Sequence, residues 1–272
     1  MTRLALLALL CSCSSFIDDK AASSTLRILD KSMQAASRQG DLQLAREALP
    51  GGIVQLEAFA LAYPKHPKFR VMHADALCQY AVAFVFDDWE DASLLGNRAA
   101  SERIATRLSG LLRACVAANE PLPASTRKDL WLATAGAVEI ALAPFANVTK
   151  LPSVKKQLAA IATKAPGFRN ADAEILLGTL EAATAGVFGG PDGTARFDAA
   201  RKLTQGRVLN VDVMFARAVA VARKDRKLFS STLEGVLAAN VEQWPEQRLA
   251  NELARTKAQR YLTAIDVLIP PR

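Results

Sequence analysis

Few residues in this chain of 272 residues have the types and spacing that catalysis or metal binding requires. Its two histidines, His66 and His73, lie at no metal-ligand spacing from a cysteine, aspartate or glutamate. The sequence contains no G-x-S-x-G segment, and its glycine-rich stretch FGGPDG lacks the Lys-Ser/Thr pair of a phosphate-binding loop. We therefore predict no catalytic residues, no metal site and no cofactor.

The histidines differ in their predicted surroundings. His66 lies between Pro64 and Pro67, so we expect a turn and a solvated side chain. His73 and Tyr80 share the apolar face of a predicted helix. A buried histidine bonded to a neighbour is the favoured interpretation of His73. The alternative is that His73 and Tyr80 face a ligand or partner.

Carboxylates stand out at two places. Asp87, Asp88, Glu90 and Asp91 crowd the segment DDWED, which we expect to be a solvated turn that caps helices. The segment has neither the spacing nor the glycine of a calcium loop. Glu139 interrupts the apolar stretch LWLATAGAVEIALAPFA. We expect it at a solvated helix edge; the alternative is a cavity with a raised pKa, where it would face a ligand or partner.

The N-terminus has the layout of a secretory signal. Arg3 precedes a short apolar run, residues 4–10, which is far too short to span a bilayer as a helix. No later segment is expected to cross a membrane.

Two cysteines end this apolar run. Ser12 before Cys13 is small enough for a lipoprotein cleavage site, whereas Leu10 before Cys11 is too large. We predict a signal over residues 1–13 that ends at an acylated Cys13, with Cys11 as the alternative, followed by a tether over 14–22. The acyl chains would then hold the protein stably at the membrane.

Cys78 and Cys115 are the remaining cysteines, and an exported chain could oxidise them. If the chain turns near residue 91, Cys115 lies roughly 16 Å along its helix from the point opposite Cys78. A disulfide tolerates Cα separations of only about 7 Å. We therefore predict two unpaired, buried cysteines.

Composition favours an all-α protein. Hydrophobic residues make up 51% of the chain and aromatic residues 6%, and no alternating strand pattern persists. The net charge is +7, but acidic and basic residues are mixed along the chain without long runs of one sign. We therefore predict no nucleic-acid partner.

Proline, glycine and capping residues divide residues 23–270 into about ten helices of a single domain. Pro50-Gly51-Gly52 should kink or break the second of them. The predicted helices are 24–39, 42–62, 68–86, 94–118, 126–143, a short helix after Pro152, 170–187, 194–205, 211–223, 226–240 and a last helix from Trp244-Pro245.

A weak internal repeat links the two halves of the chain. PKFRVMHADALCQYAVA begins at Pro67, and PGFRNADAEILLGTLEAA begins 99 residues later at Pro166. The repeat predicts stacked antiparallel hairpins, a degenerate tetratricopeptide-like α-solenoid. A chance match between alanine-rich helices is the alternative. Such stacks form concave surfaces that bind polypeptides or enclose pockets.

Residues 49–92, LPGGIVQLEAFALAYPKHPKFRVMHADALCQYAVAFVFDDWEDA, resemble the N-terminal core of the TatT family. These are tetratricopeptide lipoproteins associated with tripartite ATP-independent periplasmic (TRAP) transporters. FGGPDGTARFDAARKL, VDVMFARAVAVARKDRKLFSSTLEGVL and WPEQRLANELARTKAQRYLTAID follow the closing order of the same family. The similarity covers residues 25–268.

The resemblance implies a lipid-anchored, non-catalytic protein on the periplasmic side of the envelope, with the outer membrane favoured. It implies work beside a TRAP substrate-binding protein and a permease, for apolar or organic-acid ligands. It also implies a ring-like homo-oligomer, which we expect to be a trimer. The alternative is a generic tetratricopeptide scaffold of the cell envelope, for protein–protein interaction or outer-membrane assembly.

Overall fold

The computed structural model describes the backbone of residues 2–271 and the side chains of residues 19–271. This part of the chain contains no β-strand, which confirms the predicted all-α, helical-repeat-like fold; the tetratricopeptide assignment stays a prediction. None of its helices combines the length and apolar character needed to span a bilayer. The α-helices are α1 (Thr2–Ser37), α2 (Leu42–Ala62), α3 (Pro67–Tyr80), α4 (Phe86–Leu94), α5 (Arg98–Asn119), α6 (Thr126–Leu142), α7 (Pro144–Asn147), α8 (Leu151–Lys164), α9 (Phe168–Phe188), α10 (Thr194–Thr204), α11 (Asn210–Phe215), α12 (Arg226–Ala238), α13 (Arg248–Thr263) and α14 (Ile265–Leu268).

Short turns join consecutive helices into hairpins, and capping residues set where the helices begin. Asp41 and Ser125 accept hydrogen bonds from the backbone N–H groups three residues later, at the starts of α2 and α6. FGGPDG forms the predicted turn between α9 and α10. A Cβ atom at Gly193 would lie 2.2 Å from the carbonyl oxygen of Gly178, so this turn requires glycine.

The end of the chain packs against its beginning. Leu249 and Leu253 of α13 join the apolar core that Leu49 and Ile53 of α2 share with α3, α5 and α6. Further cores fill the spaces between α6, α8 and α9, and between the helices of the last third of the chain. Helices α2 and α13 therefore stabilise each other across most of the sequence.

Of three predicted features, only the turn at DDWED is wrong. Residues 14–22 lie in α1 and Ala22 is fully buried, and the tether stays a prediction. Helix α2 has the predicted bounds and is not broken at Pro50, where Leu49 and Ile53 on either side pack into the core; the kink stays a prediction. The DDWED segment forms α4 instead of a turn, and a π-helical turn over Ala81–Val85 joins α4 to α3 without a break.

The two central cysteines form a disulfide, so their prediction as unpaired residues is wrong. The Cα atoms of Cys78 and Cys115 are 5.1 Å apart. The chain turns at Gly96 instead of near residue 91, because α4 extends to Leu94. Cys115 lies nearly as far after Gly96 as Cys78 lies before it, and antiparallel α3 and α5 therefore bring the two thiols together.

Candidate functional site

A buried carboxylate, Asp75 of α3, lies where the two halves of the chain meet. Its side chain is almost completely buried and accepts a hydrogen bond of 2.6 Å from the indole N–H of Trp131. The guanidinium of Arg127 forms a close ion pair with the other carboxylate oxygen. Arg127 and Trp131 are four residues apart on α6, which places both side chains on one face of that helix. We call Asp75, Gln79, Arg127, Trp131, Arg169 and Asp172 the Asp75 cluster.

Arg169 of α9 completes this cluster from the C-terminal half. Its guanidinium stacks on the ring of Trp131, 4.5 Å from the ring centroid. The side-chain oxygen of Gln79, in the amide orientation that satisfies both groups, accepts from its terminal nitrogens at 3.0 and 3.2 Å. The carboxylates nearest to the guanidinium of Arg169 are further away, Asp172 at 3.7 Å and Asp75 at 4.0 Å. The Trp131 ring and the Gln79 amide thus fix the guanidinium of Arg169, while both carboxylates remain beyond hydrogen-bond distance from it.

The backbone that presents Arg169 is strained. Arg169, Asn170 and Ala171 have φ angles of 48°, 63° and 62°, in the left-handed region that non-glycine residues rarely adopt. Asn170 and Gln247 exchange two amide hydrogen bonds of 3.1 and 3.0 Å, and Ala171 is buried. Such conformations persist only where the surroundings enforce them, and they concentrate at functional sites.

Asp172 follows this strained segment and lies in a recess. Its side chain is 39% exposed, yet burial by the surrounding protein raises its pKa to about 6, against the opposing influence of Arg169. The carboxyl of Asp172 therefore changes charge around pH 6.

The disulfide supports the cluster from below. Trp131 packs directly on Cys78 and Cys115. The amide of Asn119, itself buried, donates to the carbonyl of Cys115 at 2.9 Å and to the sulfur of Cys78 at 3.3 Å. A covalent link and a buried amide thus hold α3, α5 and α6 in register beneath Trp131.

A groove of about 390 Å³ opens beside the cluster, between the starts of α3 and α6 and the end of α5. Its polar lining includes the cations Lys68, Arg127 and Lys128, and buried Asn119 connects it to the disulfide. We call it the basic groove. Its apolar wall consists of Pro67, Val71, Leu122 and Pro123.

The cations of the basic groove have different partners. Arg127 pairs with Asp75, and Lys68 forms an exposed ion pair of 2.6 Å with Asp30 of α1. The ammonium of half-buried Lys128 donates to the backbone carbonyls of Glu120 and Leu122, at 2.6 and 2.9 Å. Among the described residues, no carboxylate forms an ion pair with Lys128.

The residues predicted to face a ligand lie apart from one another. His73 is half-buried and, within the described residues, has no hydrogen-bond partner. The hydroxyl of buried Tyr80 accepts a hydrogen bond of 2.9 Å from Arg107. Glu139 lies at a helix edge, paired with Lys150 at 2.7 Å. All three remain predictions as site residues.

His66, Cys13 and Cys11 are the other residues that the sequence singled out. His66 was expected to be solvated, but it is 24% exposed and lies 3.1 Å from the carboxylate of Asp19. Cys13 and its alternative Cys11 lie outside the residues whose side chains the structure describes.

Sequence reasoning missed the Asp75 cluster, although two signals for it were present. Asp75 is the single acidic residue on an apolar helix face, and the repeat offset of 99 residues pairs it with Glu174. Both carboxylates are buried and both pair with arginines, Glu174 with Arg196 at 3.3 Å. An acid at equivalent positions of two repeats therefore indicates an arginine partner from a neighbouring helix.

Fold and site together define an all-helical protein with a buried ionic cluster beside an open groove. The sequence model of the TRAP transporter T-component family (TAtT) matches residues 38–130 and 129–268. The chain therefore belongs to the TRAP transporter T-component family, and the resemblance drawn from its motifs is confirmed. The two matches meet within α6, next to Arg127 and Trp131.

Family membership gives the coarse function, an accessory role in a TRAP transporter. The family is a transporter component and not a family of enzymes. A comparison with curated proteins gives no match.

Proposed function

We propose that this protein is the lipid-anchored, periplasmic component of a TRAP transporter that docks the substrate-binding protein. In this role it holds an apolar or organic-acid ligand near that partner and works as a homotrimer at the outer membrane. The observation that carries the proposal is the family match, which spans residues 38–268 and thus nearly the whole helical body.

The surface of the protein supports a docking role. Phe145, in the short helix α7, is 98% exposed, and Val148 follows it at 40%. Phe188, at the end of α9, is 67% exposed. Aromatic side chains are enriched at protein interfaces, where they fill pockets of the partner.

Capture of the binding protein tests the docking. The full chain carrying Cys13→Ser and an affinity tag is incubated with a periplasmic extract of its own cells, and retained proteins are identified by mass spectrometry. We expect the TRAP substrate-binding protein. Recovery of envelope-assembly proteins without a TRAP binding protein would favour the general scaffold instead. Native mass spectrometry of the same sample reports whether the protein is a trimer.

The anchor is tested by matched serine variants. We expect Cys13→Ser to release the protein from the membrane fraction and to abolish its labelling with a radioactive fatty acid. Cys11→Ser should change neither. The opposite pattern would assign the acyl group to Cys11, and retention of both variants in the membrane would contradict lipid anchoring.

A further inference from the structure

We propose that the basic groove binds a small amphipathic carboxylate, with its head group at Lys128 and its hydrocarbon part on the apolar wall. The inference rests on the proposed function, because it names the place and the chemical class of the ligand held there. It assigns a role to residues that neither the family match nor the sequence motifs single out.

The size and lining of the groove indicate a small ligand. A volume of about 390 Å³ lies toward the lower end of the range for small-molecule sites. Two prolines, a valine and a leucine form one wall, and buried Asn119 lies at the floor. A short hydrocarbon chain fits such a wall, since burying it removes apolar surface from water.

The charge of Lys128 indicates an anionic head group. Lys128 is half-buried, and its ammonium contacts two neutral carbonyls without a carboxylate in ion-pair distance among the described residues. An ammonium has three donors, and two are used. A ligand carboxylate would supply the third hydrogen bond and the missing negative charge, in a charge-assisted contact.

The two neighbouring cations distinguish one carboxylate from a larger anion. Arg127 is held in an ion pair by Asp75, which also accepts from the indole N–H of Trp131, so the charge of Arg127 already has a partner. Lys68 is paired with Asp30, but this pair is exposed and such pairs are weak. The groove therefore has one uncompensated positive charge, on Lys128, and a second on Lys68 that becomes free when its pair with Asp30 breaks. This amount of charge matches a monocarboxylate better than a polyphosphate.

Octanoate is a suitable probe, with octanol as its uncharged counterpart. Binding of each to the full Cys13→Ser chain is measured by isothermal titration calorimetry. We expect saturable binding of octanoate and none of octanol. Lys128→Gln should weaken octanoate binding by about tenfold, equivalent to about 1.4 kcal/mol. Val71→Asp should weaken it as well, because the apolar wall becomes charged at a partly exposed position. The matched control is Lys156→Gln, on the exposed face of α8, which should bind like the parent chain.

Each contrary outcome has a defined meaning. Equal binding by Lys128→Gln and Lys156→Gln would place the carboxylate elsewhere, and equal binding of octanol would show that charge is not recognised. Either result, or no binding of octanoate, would overturn the inference. If Lys128→Gln abolishes capture of the binding protein but leaves octanoate binding unchanged, the groove is a protein-docking surface. Capture of the binding protein by the parent chain, without octanoate binding, would leave docking intact and refute the ligand site alone.

Discussion

Two clusters of buried ionic groups hold this protein together, and they are built differently. In one, which we call the Arg260 cluster, Asp87 and Glu90 of α4 meet Lys257, Arg260 and Tyr261 of α13. Arg260 contacts both oxygens of Asp87 at 2.6 and 3.1 Å, and the hydroxyl of Tyr261 donates to Glu90 at 2.5 Å. In the Asp75 cluster, Arg127 and Trp131 contact Asp75 closely, but Arg169 approaches Asp172 and Asp75 only to 3.7 and 4.0 Å.

The pKa values of the two clusters shift in opposite directions. Burial acts to raise the pKa of Asp87, but the hydrogen bonds and charges of Arg260 and Lys257 outweigh it, so this pKa lies below its usual value. Asp172 has a raised pKa of about 6, because its single cation, Arg169, is too distant to offset burial. The Arg260 cluster is thus a closed clamp between α4 and α13. The Asp75 cluster is a looser junction, stiffened by a strained backbone and a disulfide.

Removal of the disulfide beneath the Asp75 cluster should have the largest effect on stability. Cys78 and Cys115 close a loop with a sequence separation of 37 residues beneath Trp131. We expect replacement of both cysteines by alanine to lower the free energy of unfolding by about 4 kcal/mol, mainly through the greater entropy of the unfolded chain. Urea denaturation of the oxidised parent and the double variant measures this loss.

Reduction provides the control for that experiment. The parent chain unfolded in the presence of dithiothreitol should match the double variant, whose own stability should not respond to the reductant. A parent chain whose stability is indifferent to dithiothreitol would show that the two thiols are not bonded.

Removal of the charge of Asp87 should have the next largest effect. Asp87→Asn keeps the shape of the side chain but removes the carboxylate that pairs with Lys257 and most closely with Arg260, which retains only contacts of 3.7 and 3.6 Å to Glu90 and Asp91. We expect a loss of about 3 kcal/mol in the free energy of unfolding. Asp266→Asn is the matched control, since Asp266 pairs with Arg226 but is 74% exposed; its loss should be within about 0.5 kcal/mol.

The same substitution at Asp75 should be milder. Arg127 and Arg169 retain 40% and 21% of their side-chain exposure, so water can compensate them when Asp75→Asn removes the negative charge. We expect a loss of about 2 kcal/mol, also through the weaker hydrogen bond from Trp131. The measured order of the two Asp→Asn variants is the direct comparison. A larger loss at Asp75 than at Asp87 would mean that the junction, and not the clamp, carries the electrostatic stability.

The sequence predicted the helices better than the contacts between them. Proline and capping residues such as Asp41 and Ser125 act locally, and the boundaries that they set agree closely with the structure. DDWED was predicted as a turn because four acids are expected to face water. Asp87 instead pairs with Arg260, 173 positions away, and Glu90 accepts from Tyr261, 171 positions away, which no local pattern reveals. That single error moved the predicted turn and separated Cys78 from Cys115.

The sequence could single out Asp75 but could not predict the rest of the candidate site, for the same reason. Asp75, Trp131 and Arg169 come from three helices, and only the packing of the two halves brings them together. The left-handed backbone at Arg169–Ala171 contains no glycine, so the residue types there do not indicate this conformation. The repeat did align Arg70 with Arg169, but Arg70 is exposed and donates to the carbonyl of Pro64 instead. Arg70 and Arg169 occupy equivalent positions of the two repeats but have different partners, and only Arg169 lies near Asp75.

The smallest expected effect concerns the pH dependence of stability. The contributions of Asp172 and Asp87 to stability change in opposite directions with pH. The folded-state pKa of Asp172 lies above its unfolded value, so the folded protein binds this proton more tightly than the unfolded chain does. Its contribution to stability therefore falls as the pH rises from about 4 to about 6, and the penalty is complete above that range. Asp87 behaves oppositely: its contribution is present above its unfolded pKa and is lost as the pH falls through its lower folded pKa.

Asp172→Asn should therefore stabilise the protein at pH 7.5, where the wild-type carboxylate is charged. Because the side chain is 39% exposed, water screens much of the penalty, and we expect a gain of about 1 kcal/mol. At pH 4 the variant and the parent should be equally stable, since both carry a neutral group there. Urea denaturation at the two pH values gives the comparison, and an NMR titration of the side-chain carboxyl carbon of Asp172 gives its pKa directly. An Asp172→Asn variant less stable than the parent at pH 7.5 would mean that Arg169 depends on this carboxylate, and that the junction is as tightly paired as the clamp.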